Sequence, residues 1–370
     1  MKAVLKSLLL LPFLFVFASC DAPNDTTQDS HNENIIPASE RAILLKFFND
    51  NFDDAISGNL SDEDLIRWLG LSLTEGGSIT GILKKDSSIS VLTKDIFSLP
   101  NLYSIFLDNN QITSIPPEIE NAIKLNFISL NDNSIEELPK EIGNLKNLET
   151  FNIRKNNLIG LPATIGNLEK LHRFELSYNK LTSLPNEIGN LSSLDLLSLN
   201  NNKLKTLPLS FGNFESLTRV DLDHNLLESL PTTISNLSEL SNLDVNSNKL
   251  SSLPIEIGSF EKLKSIGLNH NQLSTLPVEI SKIETLVNLH VRSNQLTSIP
   301  KEIGHMPNLK SIHLMENELT TIPKEFANLK PYNLLFYDNN IVGNLPVEIC
   351  EAFTFNNNTF RKDIEATCHN

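Results

Sequence analysis

Residues 125–147 read LNFISLNDNSIEELPKEIGNLKN, and residues 148–170 read LETFNIRKNNLIGLPATIGNLEK. The two stretches have equal length and carry the same residue types at the same places. Leu125, Ile128, Leu130, Asn133, Ile135, Leu138 and Pro139 of the first become Leu148, Phe151, Ile153, Asn156, Leu158, Leu161 and Pro162 of the second. The register runs back to Leu102, Ile105, Leu107, Asn110, Ile112, Ile115 and Pro116, and forward with Asn at 179, 202, 225, 248, 271, 294, 317 and 340. Counted this way, eleven full copies follow one another at an unbroken period of 23 residues. A degenerate copy, Ile79–Leu99, precedes them with Ile79, Ile82, Ile89, Leu92 and Ile96 at template positions.

The spacing dictates the local structure. Apolar residues at positions 1, 4 and 6 of a copy cannot share one helix face, whereas positions 4 and 6 fit the two-residue period of a strand. One copy cannot bury its apolar side chains alone, so copies must stack and stability becomes nearly one-dimensional. Stacking places short parallel strands side by side, ~4.8 Å apart. The Asn at position 9 is expected to be buried and to satisfy backbone groups that would be costly to leave unpaired. Proline at position 15 sets φ, and the stretch Glu-Ile-Gly-Asn-Leu that commonly follows predicts a short helical or 3₁₀ piece on the opposite side.

The pattern L-x-x-L-x-L-x-x-N-x-L-x-x-L-P resembles the leucine-rich repeat. That resemblance implies an α/β solenoid, a curved horseshoe with a parallel sheet on its concave face and short helical, 3₁₀ or irregular segments on its convex face. It also implies a non-enzymatic binding module. The variant Leu-Pro-x-Glu-Ile-Gly-Asn-Leu is similar to a class found in bacterial surface and secreted proteins, and to a class of plant and animal intracellular scaffolds.

The ends carry different signals. Lys2 and Lys6 precede the apolar run Leu8–Phe17, the layout of a signal peptide over residues 1–19. Phe17-Ala18-Ser19-Cys20 resembles the lipobox of bacterial lipoproteins, which implies lipidation of Cys20. Residues 20–36 form an acidic tether: Asp21, Asp25, Asp29 and Glu33 occur with no Lys or Arg. Residues 37–78 are expected to be a helical cap. Ile43, Leu44, Phe47 and Phe48 fall at helical spacing, Ser61 to Asp64 resembles a capping box, and Trp68 anchors the first coil. The repeats are assigned to 79–346 and a C-terminal cap to 347–370. Cys350 and Cys368 are an even pair once Cys20 is set aside, and a disulfide between them is expected.

Function classes narrow quickly. The formal charge of -15 disfavours nucleic acid, which requires a basic face. No nucleophile elbow, P-loop or zinc-protease motif is present, so no enzyme activity, cofactor or metal is assigned. The concave columns carry the candidate site. Position 5 runs Phe106, Ser129, Asn152, Glu175, Ser198, Asp221, Asp244, Gly267, His290, His313 and Phe336, and position 7 ends on Met315 and Asp338. Three zones result: Arg154, Lys155, Arg173, Glu175 and Tyr178; then Asp221, Asp223 and Asp244; then His290, Arg292 and His313. Arg and Tyr are frequent anchors in protein interfaces. The expected partner is a protein or a glycan, and contact with a membrane is expected through the N-terminal lipid alone. The expected place is the bacterial cell envelope, at the outer membrane or cell surface, with secretion as the alternative. The competing reading, drawn from the intracellular relatives, is a scaffold for a small GTPase or another signalling partner.

Overall fold

The computed structural model describes residues 35–52, 60–329, 333–352, 360–361 and 366–367. The leader with Cys20, and also Cys368, lie outside the described residues.

Two helices open the fold, α1 (Ala38–Asn51) and α2 (Asp62–Leu69). The Ser61 side chain accepts the Asp64 amide at 3.1 Å and the Asp64 carboxylate accepts the Ser61 amide at 3.0 Å, a reciprocal box that starts α2. Gly70 ends it with φ +59, the left-handed conformation that glycine adopts without penalty. Phe48 and Phe52 close on the Trp68 ring at centroid distances of 4.5 and 4.1 Å. Glu40 of α1 is buried and holds the first coil by accepting from Ser78 Oγ and the Ile79 amide, both at 2.7 Å.

Strand β1 (Ser72–Leu73) pairs antiparallel with β2 (Ile79–Leu83). Eleven three-residue strands then follow in parallel, each beside its predecessor: β3 (Ser104–Phe106), β4 (Phe127–Ser129), β5 (Thr150–Asn152), β6 (Arg173–Glu175), β7 (Leu196–Ser198), β8 (Arg219–Asp221), β9 (Asn242–Asp244), β10 (Ser265–Gly267), β11 (Asn288–His290), β12 (Ser311–His313) and β13 (Asn333–Leu335). From β3 to β13 each connection crosses the other side of the coil through a 3₁₀ turn opened by the repeat proline, as at Asn186–Asn190 after Pro185. The result is a curved, open parallel solenoid with one continuous apolar core. Its central strand residues, such as Ile105, Phe174 and Leu243, are buried.

The asparagine column joins the coils. Asn225 Nδ2 donates to the Leu199 and Leu222 carbonyls at 3.0 Å each, and its Oδ1 accepts the Leu204 amide at 3.0 Å. One side chain thus satisfies backbone groups of two successive rungs. The glycine of Glu-Ile-Gly-Asn answers to close approach: a Cβ on Gly189 would lie 2.1 Å from the Ser210 carbonyl of the next coil.

One expectation is corrected. The period slips by one residue before the last strand: Ser311 pairs with Asn333 and His313 with Leu335. Asn339, not Asn340, takes the ladder role, accepting the Leu319 amide at 3.0 Å and donating to the Leu314 carbonyl at 2.9 Å. Leu335 therefore occupies position 5 and Tyr337 position 7, while Phe336 is fully buried at position 6. The apolar alternation, not the residue count, sets the rung.

Beyond it, β14 (Gly343–Asn344) leaves the main sheet and pairs in parallel with β16 (Ala366–Thr367), while β15 (Phe360–Arg361) extends the main sheet beside β13. Helix α3 (Val347–Ala352) lies between, with Ile349 buried and Cys350 half-buried against the core.

Candidate functional site: the strand face of the solenoid

Three-residue strands turn their middle residue inward and their first and third outward, so template positions 3 and 5 form two parallel columns. Position 7 forms a third column. Position 8 lies in the left-handed region in every rung from Asn109 to Asp338, including Lys155 (φ 52) and Tyr178 (φ 57). Its amide donates across to the position 7 carbonyl of the next rung, as Tyr178 does to Asn200 at 2.9 Å. The turn is a backbone device that fixes where the side chains of the third column emerge.

In the first zone the Arg154 guanidinium lies 4.8 Å from the Tyr178 ring centroid, a cation–π contact that holds its plane. Lys155 is paired with Asp132 at 2.9 Å. Among the described residues Arg154 and Arg173 have no ion-pair partner. The Glu175 carboxylate accepts the Ser177 amide at 3.0 Å.

The register brings this zone beside the second. Column 3 reads Arg173, Leu196, Arg219 and column 5 reads Glu175, Ser198, Asp221, Asp244. A row of cations thus flanks a row of anions around a half-buried leucine. Arg219 and Leu196 were not singled out from the sequence, although the position 3 register would have shown them. Arg219 Nη2 reaches Asp244 at 3.7 Å.

Burial pushes the Asp221 carboxyl up to about 6, with the Asp223 and Asp244 charges adding to the rise and the Asp223 amide opposing it. Burial and the Asp223 charge also raise Asp244. Asp223 accepts the Asn246 amide at 2.6 Å and Asn246 Nδ2 at 3.0 Å. Asn246 bends over Gly267, where a Cβ would sit 2.6 Å from Nδ2, so the missing side chain in column 5 makes room for this bridge.

The third zone lies past Gly267. His290 and His313 stack with ring centroids 4.1 Å apart and planes 11° apart. Ser311 Oγ lies 3.2 Å from His290 Nε2 and 3.4 Å from His313 Nε2. Burial first, and His313 second, lower the His290 pKa to about 4. Arg292 Nε donates to Glu316 at 3.0 Å, so that cation is compensated. Ser311 and Glu316 are partners the sequence reading missed.

Among the described residues no group of three or more His, Cys, Asp and Glu side chains is arranged to hold a metal, and no helix is long and apolar enough to cross a membrane.

These features define the molecule as a repeat solenoid with a polar, rigid strand face. The chain belongs to the leucine-rich repeat family. Family models described as "Leucine-rich repeat region" and "Leucine rich repeat" match residues 106–179, and residues 169–227 and 284–340. Among solved structures, a leucine-rich repeat protein of Leptospira interrogans is 32% identical over 79% of this chain and 80% of its own, with TM-score 0.64. A plant peptide hormone receptor, solved in complex with its peptide, is 34% identical over 77% of this chain at TM-score 0.67, and the chain spans 47% of that receptor. A Listeria monocytogenes internalin shares the fold, at 20% identity, 89% of this chain, 94% of its own and TM-score 0.59. No curated protein matches the chain.

Proposed function

We propose that this chain is a non-catalytic recognition protein whose strand face binds a protein partner. The observation that carries the proposal is the pair of opposed charge columns, Arg173 and Arg219 beside Glu175 and Asp221, set on one rigid lattice around Leu196. Side chains fixed by a stacked sheet engage a partner with little ordering cost. Arg154 held against Tyr178 supplies the kind of anchor that dominates protein interfaces. The plant receptor, a relative on the same fold, is solved with a peptide.

The proposal extends to placement. The leader resembles that of an exported bacterial lipoprotein, with Cys20 as the lipidated residue, and a Cys350–Cys368 bridge would close the C-terminal end. Metabolic labelling of the full chain with a palmitate analogue tests the anchor: label in the wild type and none in Cys20→Ala supports it. A soluble, unlabelled wild type would return the chain to the intracellular scaffold reading.

A further inference from the structure

We propose that the charge-free rung β7 is the floor of a furrow that takes one extended segment of the partner, carrying an acidic and a basic side chain two residues apart. This rests on the strand face being the protein-binding surface. One pattern occurs twice on that face. Of the strands β3 to β12, only β6 and β8 carry a cation at position 3 and an anion at position 5: Arg173 with Glu175, and Arg219 with Asp221. Between them stand Leu196 and Ser198 of β7, in direct register with both.

Sheet geometry sets the dimensions. Neighbouring rungs are about 4.8 Å apart, so the two charged rungs form walls roughly 10 Å apart. One further row of side chains fills such a gap, as rows interdigitate between packed sheets. Positions 3 and 5 lie about 7 Å apart along a rung, which is also the spacing of residues i and i+2 in a partner strand laid over β7. An acidic side chain at the first place falls between Arg173 and Arg219, above Leu196. A basic one at the second falls between Glu175 and Asp221, above Ser198. Leu196 and Ser198 are half-buried, and the two arginines stand exposed on either side.

The four wall charges do little for the fold. Among the described residues no ion pair joins Arg173 to Glu175 or Arg219 to Asp221, and the one ion pair that any of the four makes is Arg219 with Asp244 at 3.7 Å. Cross-strand stabilisation comes from opposite charges on neighbouring strands; here like charges face each other across a neutral rung. The four sum to zero, so a purely acidic or purely basic segment meets as much repulsion as attraction. A segment with one charge of each sign satisfies both columns at once, and the repulsive half of each mismatch supplies the selectivity.

The test is selection of short random peptides displayed on phage, with the full chain as bait. The wild type is expected to enrich peptides with an acid and a base two residues apart, over the same pair one or three apart. Arg173→Glu with Arg219→Glu makes all four wall residues acidic and should shift the enriched pair to two bases. Ser198→Phe fills the floor without touching a charge and should abolish the enrichment. No enrichment of the mixed pair by the wild type, or a preference that the double variant leaves unchanged, would overturn the proposal. Peptides that lack the pair yet are lost with the double variant sink the furrow and leave the strand-face reading standing. Peptides kept equally by wild type and double variant remove both. Should a variant fail to fold, the wild type decides: a selected peptide is compared with its isomer whose base is moved by one residue, onto the other face of the strand. The isomer should bind about tenfold more weakly, the worth of one charged hydrogen bond; equal affinity overturns the furrow.

Discussion

Asp221 accepts the backbone amide of Asp223 at 3.0 Å, two residues along the same rung. Glu175 takes the Ser177 amide in the same way at 3.0 Å, whereas in other rungs the amide at that position goes to the side chain of the preceding rung: Asn131 gives it to Asp108 at 3.0 Å, Arg154 to Asn131 at 2.8 Å, and Arg292 to Asn269 at 2.8 Å. The preceding residue here is Asn200, and its buried Oδ1 has no partner. Asp221 has diverted the donor. An unsatisfied buried acceptor costs roughly 1–3 kcal/mol, and the interruption falls at the centre of the charge columns.

The same carboxyl makes stability depend on pH. Asp221 is raised from 3.8 to about 6, so between those values the folded chain keeps a proton that the unfolded chain releases. The group is therefore least costly below that window, and stability falls as pH rises through about 6. Asp221→Asn keeps the acceptor for Asp223 and removes the charge. It is expected to stabilise the protein at pH 7 by on the order of 1 kcal/mol, after allowing for partial solvent screening, and to give no gain below the window. Urea melts of both proteins across the range check this; an equal effect at all pH values would refute it.

The asparagine column should be far less tolerant. Asn225→Ala removes the bonds to the Leu199 and Leu222 carbonyls and to the Leu204 amide. Leaving these groups unpaired predicts a loss of about 2–4 kcal/mol. Because coupling between coils is nearest-neighbour, the loss should appear as a broadened or two-step denaturation curve. A single transition with an unchanged midpoint would contradict the ladder's role.

Position 8 offers a backbone test. Ser247 has φ 54 and its amide donates to the Asn269 carbonyl at 2.8 Å. Ser247→Gly should be neutral or slightly stabilising. Ser247→Val, with a β-branched side chain in the left-handed region, should cost roughly 1–2 kcal/mol. Thermal melts compare the two, and a valine variant as stable as the glycine variant would show that the turn is not constrained.

The fold was legible because one periodic constraint, apolar positions 1, 4 and 6 with Asn at 9, recurs in every coil. The slip at the last coil was hidden by two adjacent asparagines, Asn339 and Asn340. Residue counting selects the second, while burial of Leu334 and Phe336 selects the first. The left-handed column was also readable in part. Its members are Asn, Asp, His, Ser, Lys, Tyr and Glu, with no Val, Ile or Thr from Asn109 to Asp338, which is the bias expected of that conformation. Which side chains pair across rungs was not readable. Lys155 with Asp132, Arg292 with Glu316 and Ser311 with both histidines depend on rotamers chosen after the coils stack.

The central claim is that the strand face, not the opposite side of the coil, meets the partner. The direct measurement is co-purification of the tagged full chain from its native cells with Arg173→Glu and Asp221→Lys combined, against Glu187→Lys in a 3₁₀ turn. The account predicts that a protein retained by the wild type is lost with the strand-face variant and kept with the turn variant, both being normally folded. Retention by the strand-face variant and loss with Glu187→Lys would contradict it.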